Sequence, residues 1–434
     1  MAAAAPRAAG AQSAPYDSTR FMLEAGVGGD VSNFIFYEQS FDSTAFDERT
    51  TVSDPETRIG AILVGRALGA RGRLAWQLSD ELRAGDTLLR NLTRAGAAYA
   101  TGRTSQVSLD LEADLRRDTS FGFSRSDGRL AALAAGRLFA RDRGWSSRLF
   151  GRAERVRGDE ASAELFPDFD WRQVGVDLDR LWNAGTVTLD YAYGARSFPD
   201  TSARDYREHD VGLSGLWRAT DRLGFDLWGS GARRLAPEDS AFGDNLWQAD
   251  VEARGTWRAG EALECGLRAR VRTATYDEPT PTFFNGRFWR YAVFARWPNA
   301  ATTFEVRPEI EFARTPDFGG LPPTASDEDR QAVAGEEFDE LALRLEVERF
   351  ATRGWWSIVP AFGHRNYLDA ATSAEDLSAR SDFWFAEVFG FVDRRLGGRV
   401  TLRASADLRW EEHTVPSDDA RSLSVAAELR APLR

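Results

Sequence analysis

Residues 302–312 read TTFEVRPEIEF. Apolar side chains at even positions from Phe304 to Phe312 alternate with Glu305, Arg307, Glu309 and Glu311. Successive side chains of a β-strand point to opposite faces of the sheet, so this alternation predicts a strand with one apolar and one ionised face. The fold depends on which of the two faces meets water.

The same period-2 alternation recurs from one end of the chain to the other, whereas helical periodicity rarely persists beyond a turn or two. It predicts an all-β protein. It also predicts one long strand that runs from Phe21 through three glycines to Tyr37 in a constant register. Ionised positions opposite the apolar face in five of these segments are Asp110, Glu112, Asp114, Arg268, Arg270, Arg272, Glu305, Arg307, Glu309, Glu311, Arg344, Glu346, Glu348, Arg403, Asp407, Arg409 and Glu411.

The connections between the apolar-alternating segments differ in length in a regular order. Short connections, such as 183–185 and 352–354, alternate with long polar connections, such as 42–56, 276–285 and 315–337. The connection at 83–86 is the exception, because it is short where this alternation predicts a long one. Strands of roughly 10 to 15 residues with this alternation are typical of a transmembrane barrel, while strands of soluble sandwiches average about 5 to 6 residues. We therefore predict a single antiparallel up-and-down barrel of about twenty strands, within about 16 to 22.

Tryptophans cluster close to the short connections. Indole rings prefer the headgroup level of a bilayer, so a girdle at one rim indicates a barrel in a membrane. The tryptophans predicted to form this girdle are Trp145, Trp182, Trp217, Trp257, Trp297, Trp355 and Trp356.

The apolar face of each strand must then meet lipid, because a single arginine facing the middle of the bilayer costs about 2 to 4 kcal/mol. The seventeen ionised positions are accordingly predicted to line a water-filled lumen. Opposed ladders, basic at 268–272 and acidic at 305–311, would select solutes by charge across the pore; pairing of these charges between strands is the alternative.

Composition excludes several other classes of protein. The net charge of -12 argues against nucleic acid as a partner, and no run approaches the roughly 18 apolar residues of a membrane-spanning helix. The single cysteine, Cys265, excludes an internal disulfide framework and paired-thiolate zinc sites, and we expect no metal and no cofactor. Residues 1–16 are interpreted as the remnant of a signal peptide or as a disordered leader, and 17–434 as the barrel.

Catalysis is not expected. The three histidines, His209, His364 and His413, have no recognisable nucleophile beside them in the sequence, and adjacent residues of a strand point to opposite faces.

In strand pattern, loop rhythm and aromatic placement, the chain after Tyr16 resembles the Gram-negative outer-membrane β-barrels, porins in particular. The resemblance implies location in the cell outer membrane, insertion by the barrel assembly machinery, and passage of solutes through the lumen. Pro316-Asp317-Phe318-Gly319-Gly320 looks like the Pro-Glu-Phe-Gly-Gly of the porin constriction loop, which makes it a candidate constriction loop. The last strand departs from the resemblance, because it ends in Leu433-Arg434 where such barrels usually end on an aromatic residue.

The sequence thus predicts a pore for small hydrophilic solutes or ions. The alternative is a structural or scaffold barrel that anchors a partner in its lumen or on its acidic extracellular loops. Those loops, and arginines at the other rim, are expected to contact outer-membrane lipids and lipopolysaccharide, with divalent cations shared between carboxylates and phosphates. A periplasmic or surface protein partner is not identified by the sequence.

Overall fold

The computed structural model describes residues 18–39, 49–119, 125–140, 144–159, 167–200, 202–237, 245–281, 283–299, 301–371, 380–397 and 399–433. Strands make up 76% of the chain. In order, the twenty strands are β1 Ser18–Gln39, β2 Arg49–Arg71, β3 Leu74–Gly85, β4 Leu88–Ala100, β5 Ser105–Asp118, β6 Arg125–Ala140, β7 Trp145–Gly158, β8 Phe169–Trp182, β9 Gly185–Ser197, β10 Tyr206–Arg218, β11 Leu223–Leu235, β12 Leu246–Arg258, β13 Glu264–Tyr276, β14 Gly286–Pro298, β15 Thr302–Arg314, β16 Phe338–Ala351, β17 Gly354–Tyr367, β18 Phe383–Arg395, β19 Thr401–His413 and β20 Ala420–Leu433.

Each strand pairs antiparallel with the next, and the last strand pairs with the first. The β1–β20 register runs from Leu23 opposite Leu433 to Phe36 opposite Ala420. The sheet is therefore a closed up-and-down barrel without a free edge. Closure gives every strand two hydrogen-bonded neighbours, and a sheet in lipid has no other way to pair all of its backbone N–H and C=O groups. The predicted fold class and the strand number of about twenty are confirmed.

The two rims differ in the length of their connections. At one rim, called the short-turn rim, successive strands are joined by two to five residues, and β1 begins there while β20 ends there. At the other, the long-loop rim, connections span six to 23 residues except at 86–87. The prediction of a short connection at 83–86 agrees with this turn.

The predicted loop at 42–56 is wrong in its second half, because β2 begins at Arg49 and pairs with β1 as far as Gln39. The prediction of a loop rested on the many polar residues of this segment. It gave too little weight to the β-branched residues Thr50, Thr51 and Val52, which favour extended backbone.

The long-loop rim also holds the helical segments. These are α1 Pro316–Gly319, α2 Asp327–Ala334 and the 3₁₀ turns Ser202–Arg204 and Pro416–Asp418. None of the helices in the described ranges has the length and apolar character needed to span a bilayer.

The registers of the paired strands keep alternate residues on the same face around the whole barrel. Leu109, Leu267 and Leu341 lie on one face and are 46%, 66% and 64% exposed, whereas Glu305 and Glu309 on the other face are 4% and 5% exposed. This second face is the concave one, because its side chains converge across intervening strands: Arg83 of β3 reaches Glu428 of β20 at 3.4 Å over β1 and β2. We call it the inner face, and the apolar one the outer face.

Candidate functional site: the charged inner face

The inner face of β14–β18 carries a continuous network of arginines and carboxylates. Arg307 lies at its centre and donates to Glu305 at 3.0 Å and to Glu309 at 2.6 Å. Arg344 joins Glu309 to Glu387 of β18, at 2.9 Å in both cases. Buried carboxylates are thus each supplied with a guanidinium, which offsets the cost of removing them from water.

Toward the long-loop rim, the network continues in the same way. Glu311 accepts from Arg290 at 2.5 Å, and Glu340 accepts from Arg365 at 2.6 Å. At the edge of the network toward the short-turn rim, Glu346 lies 3.9 Å from Arg307, and Glu348 lies 4.0 Å from Arg296. The acidic ladder predicted at 305–311 is therefore neutralised by arginines, of which only Arg307 and Arg344 were among the predicted lumen positions.

The basic ladder on β13 is neutralised as well. Asp250 of β12 accepts from Arg270 at 2.5 Å and from Arg272 at 3.1 Å, and Glu252 accepts from Arg268 at 2.7 Å. The predicted basic ladder thus pairs with carboxylates of the neighbouring strand, because the antiparallel register brings complementary charges opposite each other. The alternative of pairing between strands describes these residues better.

A second network lies on β4–β7. Glu112 lies between Arg94, at 2.8 Å, and Arg129, at 2.9 Å, and Asp114 accepts from Arg90 at 2.5 Å. Asp110 lies over Gly96, where an added Cβ would come within 2.5 Å of its carboxylate oxygen. The predicted residues of β5 therefore share one inner surface.

The predicted residues of β19 also lie on the inner face. Arg403 donates to Asp393 at 2.8 Å, and Arg409 approaches Glu411 at 2.5 Å. Asp407 faces inward opposite Phe389 of β18 and Ser424 of β20. The registers thus place all seventeen predicted positions on the inner face; their contact with a water-filled lumen stays a prediction.

Aromatic side chains on the inner face were missed by the sequence analysis. β18 reads FWFAEVFGFVDRR, and its register turns Phe383, Phe385, Phe389 and Phe391 inward. Apolar residues occupy both faces of this strand, so the alternation that marks the other strands is lost there. Phe383 and Phe385 pack with Ala342 and Tyr367 into a small apolar cluster near the long-loop rim.

The tryptophan girdle needs one correction. Six of its predicted members lie on the outer face near the short-turn rim: Trp145, Trp182, Trp217, Trp257, Trp297 and Trp356. Trp355 lies on the inner face instead, because its ring packs against Phe391 with 4.6 Å between centroids. Of two adjacent tryptophans in a strand, only one can face outward.

Pro316–Gly320 begins the longest connection on the long-loop rim. Its backbone is left-handed from Asp317 to Gly320, and Gly319 lies so close to Phe284 that a Cβ would come within 2.6 Å. The connection is therefore packed against the neighbouring loop 277–285. Helix α2 in this connection was not predicted, although Ser326 and Asp329 form a capping box, a sequence signature of a helix N-terminus. A role of this segment in constricting the lumen stays a prediction.

Ion pairs also link the loops of this rim. Arg233, at the end of β11, donates to Asp277 at 2.8 and 3.2 Å, and this hydrogen bonding lowers the pKa of the Asp277 carboxyl below its ordinary value. Arg380 approaches Glu336 at 2.6 Å and so joins the loops 315–337 and 368–382. In their described parts, the loops 277–285, 315–337 and 368–382 are therefore connected to one another by ion pairs and packing.

One cavity opens on the inner face near this rim, with a volume of about 730 Å³. The carboxylates of Asp190 and Asp210 lie on one side of it, and Arg272, Phe288 and Glu336 on the other. Within the described ranges, neither aspartate has an arginine within ion-pairing distance; Asp210 accepts a weak hydrogen bond from Gln173 at 3.4 Å.

A serine, a histidine and an aspartate also come together at the long-loop rim, which the sequence did not reveal. Ser381 Oγ lies 2.9 Å from Nδ1 of His413 and 2.5 Å from Asp418. Ser381 is only 1% exposed and its hydroxyl already contacts both neighbours, so it is not presented to a substrate. In the described part of the chain, no three His, Cys, Asp or Glu side chains are arranged to bind a metal ion.

No family model matches the chain, and no curated protein matches it. Solved structures do. The siderophore receptor PirA from Pseudomonas aeruginosa is 9% identical, with 93% of this chain and 80% of that chain covered and a TM-score of 0.52. The FrpB iron transporter from Neisseria meningitidis (F5-1 variant) is 8% identical, with 93% and 82% covered and a TM-score of 0.52. Pseudomonas aeruginosa OpdQ is 10% identical, with 95% and 98% covered and a TM-score of 0.45.

The fold of this chain is therefore that of the bacterial outer-membrane β-barrel proteins, as the resemblance in sequence pattern implies.

Proposed function

We propose that this chain forms a pore in the outer membrane that passes small hydrophilic solutes or ions. The observation that carries the proposal is the ion-paired lining of the inner face of a closed twenty-stranded barrel. Such a surface is much less costly facing water than facing lipid, because ionised side chains that face hydrocarbon are strongly destabilising.

The arrangement of the charges supports an open interior. Ion pairs on the inner face join strands that are at most three apart along the wall, as in Arg83 of β3 with Glu428 of β20, and Arg254 of β12 with Glu305 of β15 at 3.9 Å. Barrels of about eight strands are filled by their own side chains, whereas barrels of about 16 or more leave an aqueous channel. With twenty strands, the side chains of the wall leave room for solvent along the axis.

The cavity near the long-loop rim supports a passage for small solutes. Its volume of about 730 Å³ lies in the range of about 300 to 1,000 Å³ that is typical of small-molecule sites. Asp190 and Asp210 lie on one side of it and Arg272 on the other, so a solute that enters meets charges of both signs. Such a lining orients water and discriminates between solutes by charge and size.

Planar-bilayer recording tests the proposal. Purified protein, refolded into detergent and shown to be folded by β-type circular dichroism and by heat-modifiable gel migration, is expected to add stepwise, ohmic currents. Heat-denatured protein serves as the control and should add none. A folded barrel that inserts without conducting would contradict the pore and favour the scaffold barrel.

A further inference from the structure

One ionised residue lies on the outer face at mid-height of the barrel. Asp80 of β3 pairs with Gly65 of β2 and with Thr93 of β4, and all three lie on the outer face. It lies six positions along β3 from Leu74 at the short-turn rim. At about 3.3 Å per residue and a strand tilt of about 40°, this places Asp80 about 15 Å above the rim, near the middle of an apolar band about 25 Å tall.

The position of Asp80 has no parallel elsewhere on the described strands. Every other outer-face aspartate, glutamate or arginine of these strands lies within three residues of a strand end, as Arg155 and Arg172 do. Side chains at such ends reach the interfaces, but Asp80 cannot. Ionisable groups that face hydrocarbon are costly and are rare unless a function retains them.

Asp80 has polar neighbours on the same surface. Its carboxylate accepts from the Thr93 hydroxyl at 2.6 Å and from the Asn91 amide at 3.2 Å. A carboxylate has about four acceptor sites and an amide has two N–H groups, so both keep capacity for further hydrogen bonds. This polar patch, Asp80-Asn91-Thr93, thus presents free donor and acceptor capacity together.

The residues directly beside Asp80 and Thr93 on the neighbouring strands are small. Gly65 of β2 pairs with Asp80, and Ala113 of β5 pairs with Thr93, while exposed leucines such as Leu63 and Leu115 surround the polar patch. The outer face of β12 and β14 carries Trp247, Trp289 and Tyr291 instead. Small residues allow two backbones to approach closely in lipid, and polar side chains then bond across the contact.

We infer that the polar patch is the centre of an interface with a second copy of this chain. Two copies related by a two-fold axis would place the free amide N–H of Asn91 in one copy opposite the Asp80 carboxylate of the other, which makes the patch self-complementary. No second protein is needed to supply a complementary group. The inference is independent of the proposed pore, since a non-conducting barrel could associate in the same way.

Sedimentation equilibrium of the full chain in detergent, with native mass spectrometry from lipid nanodiscs, tests the interface. The wild type is expected to associate, and Asp80→Leu is expected to raise the dissociation constant between copies at least tenfold. Val293→Leu, at mid-height on the outer face of β14, is the matched control and should associate as the wild type does. Asp80→Leu removes a charge from the lipid-facing surface, so its heat-modifiable migration should be retained.

A second measurement keeps the inference falsifiable if Asp80→Leu folds poorly. In a Cys265→Ala background, Ala95→Cys is expected to form intermolecular bismaleimide cross-links, and Val293→Cys is not. A wild type that stays monomeric at all concentrations, an Asp80→Leu variant that associates unchanged, or equal cross-linking at both positions would overturn the inference.

Discussion

Arg307 illustrates how single residues set the properties of the inner face. It supplies hydrogen bonds to two carboxylates that are almost fully buried, while its own side chain keeps 17% of its surface exposed. The net contribution of such an ion pair to stability is small, but breaking it is costly, because the carboxylate that is left unpaired retains its desolvation penalty. Individual charges of this wall are therefore held in place by their neighbours.

Replacing Arg307 by glutamine is expected to lower the free energy of unfolding by about 1 to 3 kcal/mol. Glu305 would lose its shortest partner and keep Arg296 at 3.5 Å and Arg254 at 3.9 Å, and Glu309 would keep Arg344 at 2.9 Å. Urea unfolding in lipid vesicles, followed by tryptophan fluorescence, measures the change. Arg155→Gln, which breaks an exposed pair with Asp170, should unfold as the wild type does. An equal loss in both variants would show that burial of the carboxylates is unimportant.

Asp190 and Asp210 line the cavity and have no arginine partner in the described ranges, so their charges are expected to contribute to ion selectivity. The double variant Asp190→Asn, Asp210→Asn is expected to shift the reversal potential in a salt gradient toward anion preference. Asp170→Asn removes a comparable charge from the outer face near the long-loop rim and should leave the reversal potential unchanged. Identical reversal potentials in all three proteins would exclude these carboxylates from the ion path.

At the level of the element, strands with one apolar face were predictable and strands apolar on both faces were not. The alternation at 304–312 predicts β15 to within two residues of its observed ends, Thr302 and Arg314. In β18 the inward phenylalanines hide the same alternation, and Phe383 and Phe385 among them pack with Ala342 and Tyr367 inside the barrel. The partners of each charge were also beyond prediction, because they depend on the register that each turn sets.

The contact between β17 and β18 gives a direct test of this inner packing. Gly363→Ala is expected to cost about 1 to 3 kcal/mol of stability, because its Cβ would come within 2.5 Å of the Phe385 ring and 2.7 Å of the Leu341 carbonyl. Gly390→Ala on β18 meets no atom within 4 Å and should be neutral or slightly stabilising. Urea midpoints of the two variants provide the comparison. Equal midpoints would mean that Phe385 does not lie across Gly363.

At the level of the whole molecule, closure joins parts of the chain that the sequence does not connect. Glu81 and Arg83 of β3 reach Arg430 and Glu428 of β20 at 3.5 and 3.4 Å, over the intervening strands β1 and β2. Ile62 and Val64 of β2 lie beneath these pairs and are only 5% and 3% exposed. The strand count and the existence of two unlike rims follow from the sequence pattern, but this seam depends on contacts between the two ends of the barrel.

The proposed pore depends on the orientation of the wall, with ionised side chains toward water and apolar ones toward lipid. Single cysteines along β20, in a Cys265→Ala background and labelled with bimane in lipid vesicles, test it most directly. Ser424→Cys and Ala426→Cys lie on the inner face, and Val425→Cys and Ala427→Cys on the outer face. We predict that aqueous iodide quenches the first two labels and brominated lipid the second two, in strict alternation. Equal quenching by iodide at all four positions, or quenching by lipid at Ser424→Cys and Ala426→Cys, would contradict the account.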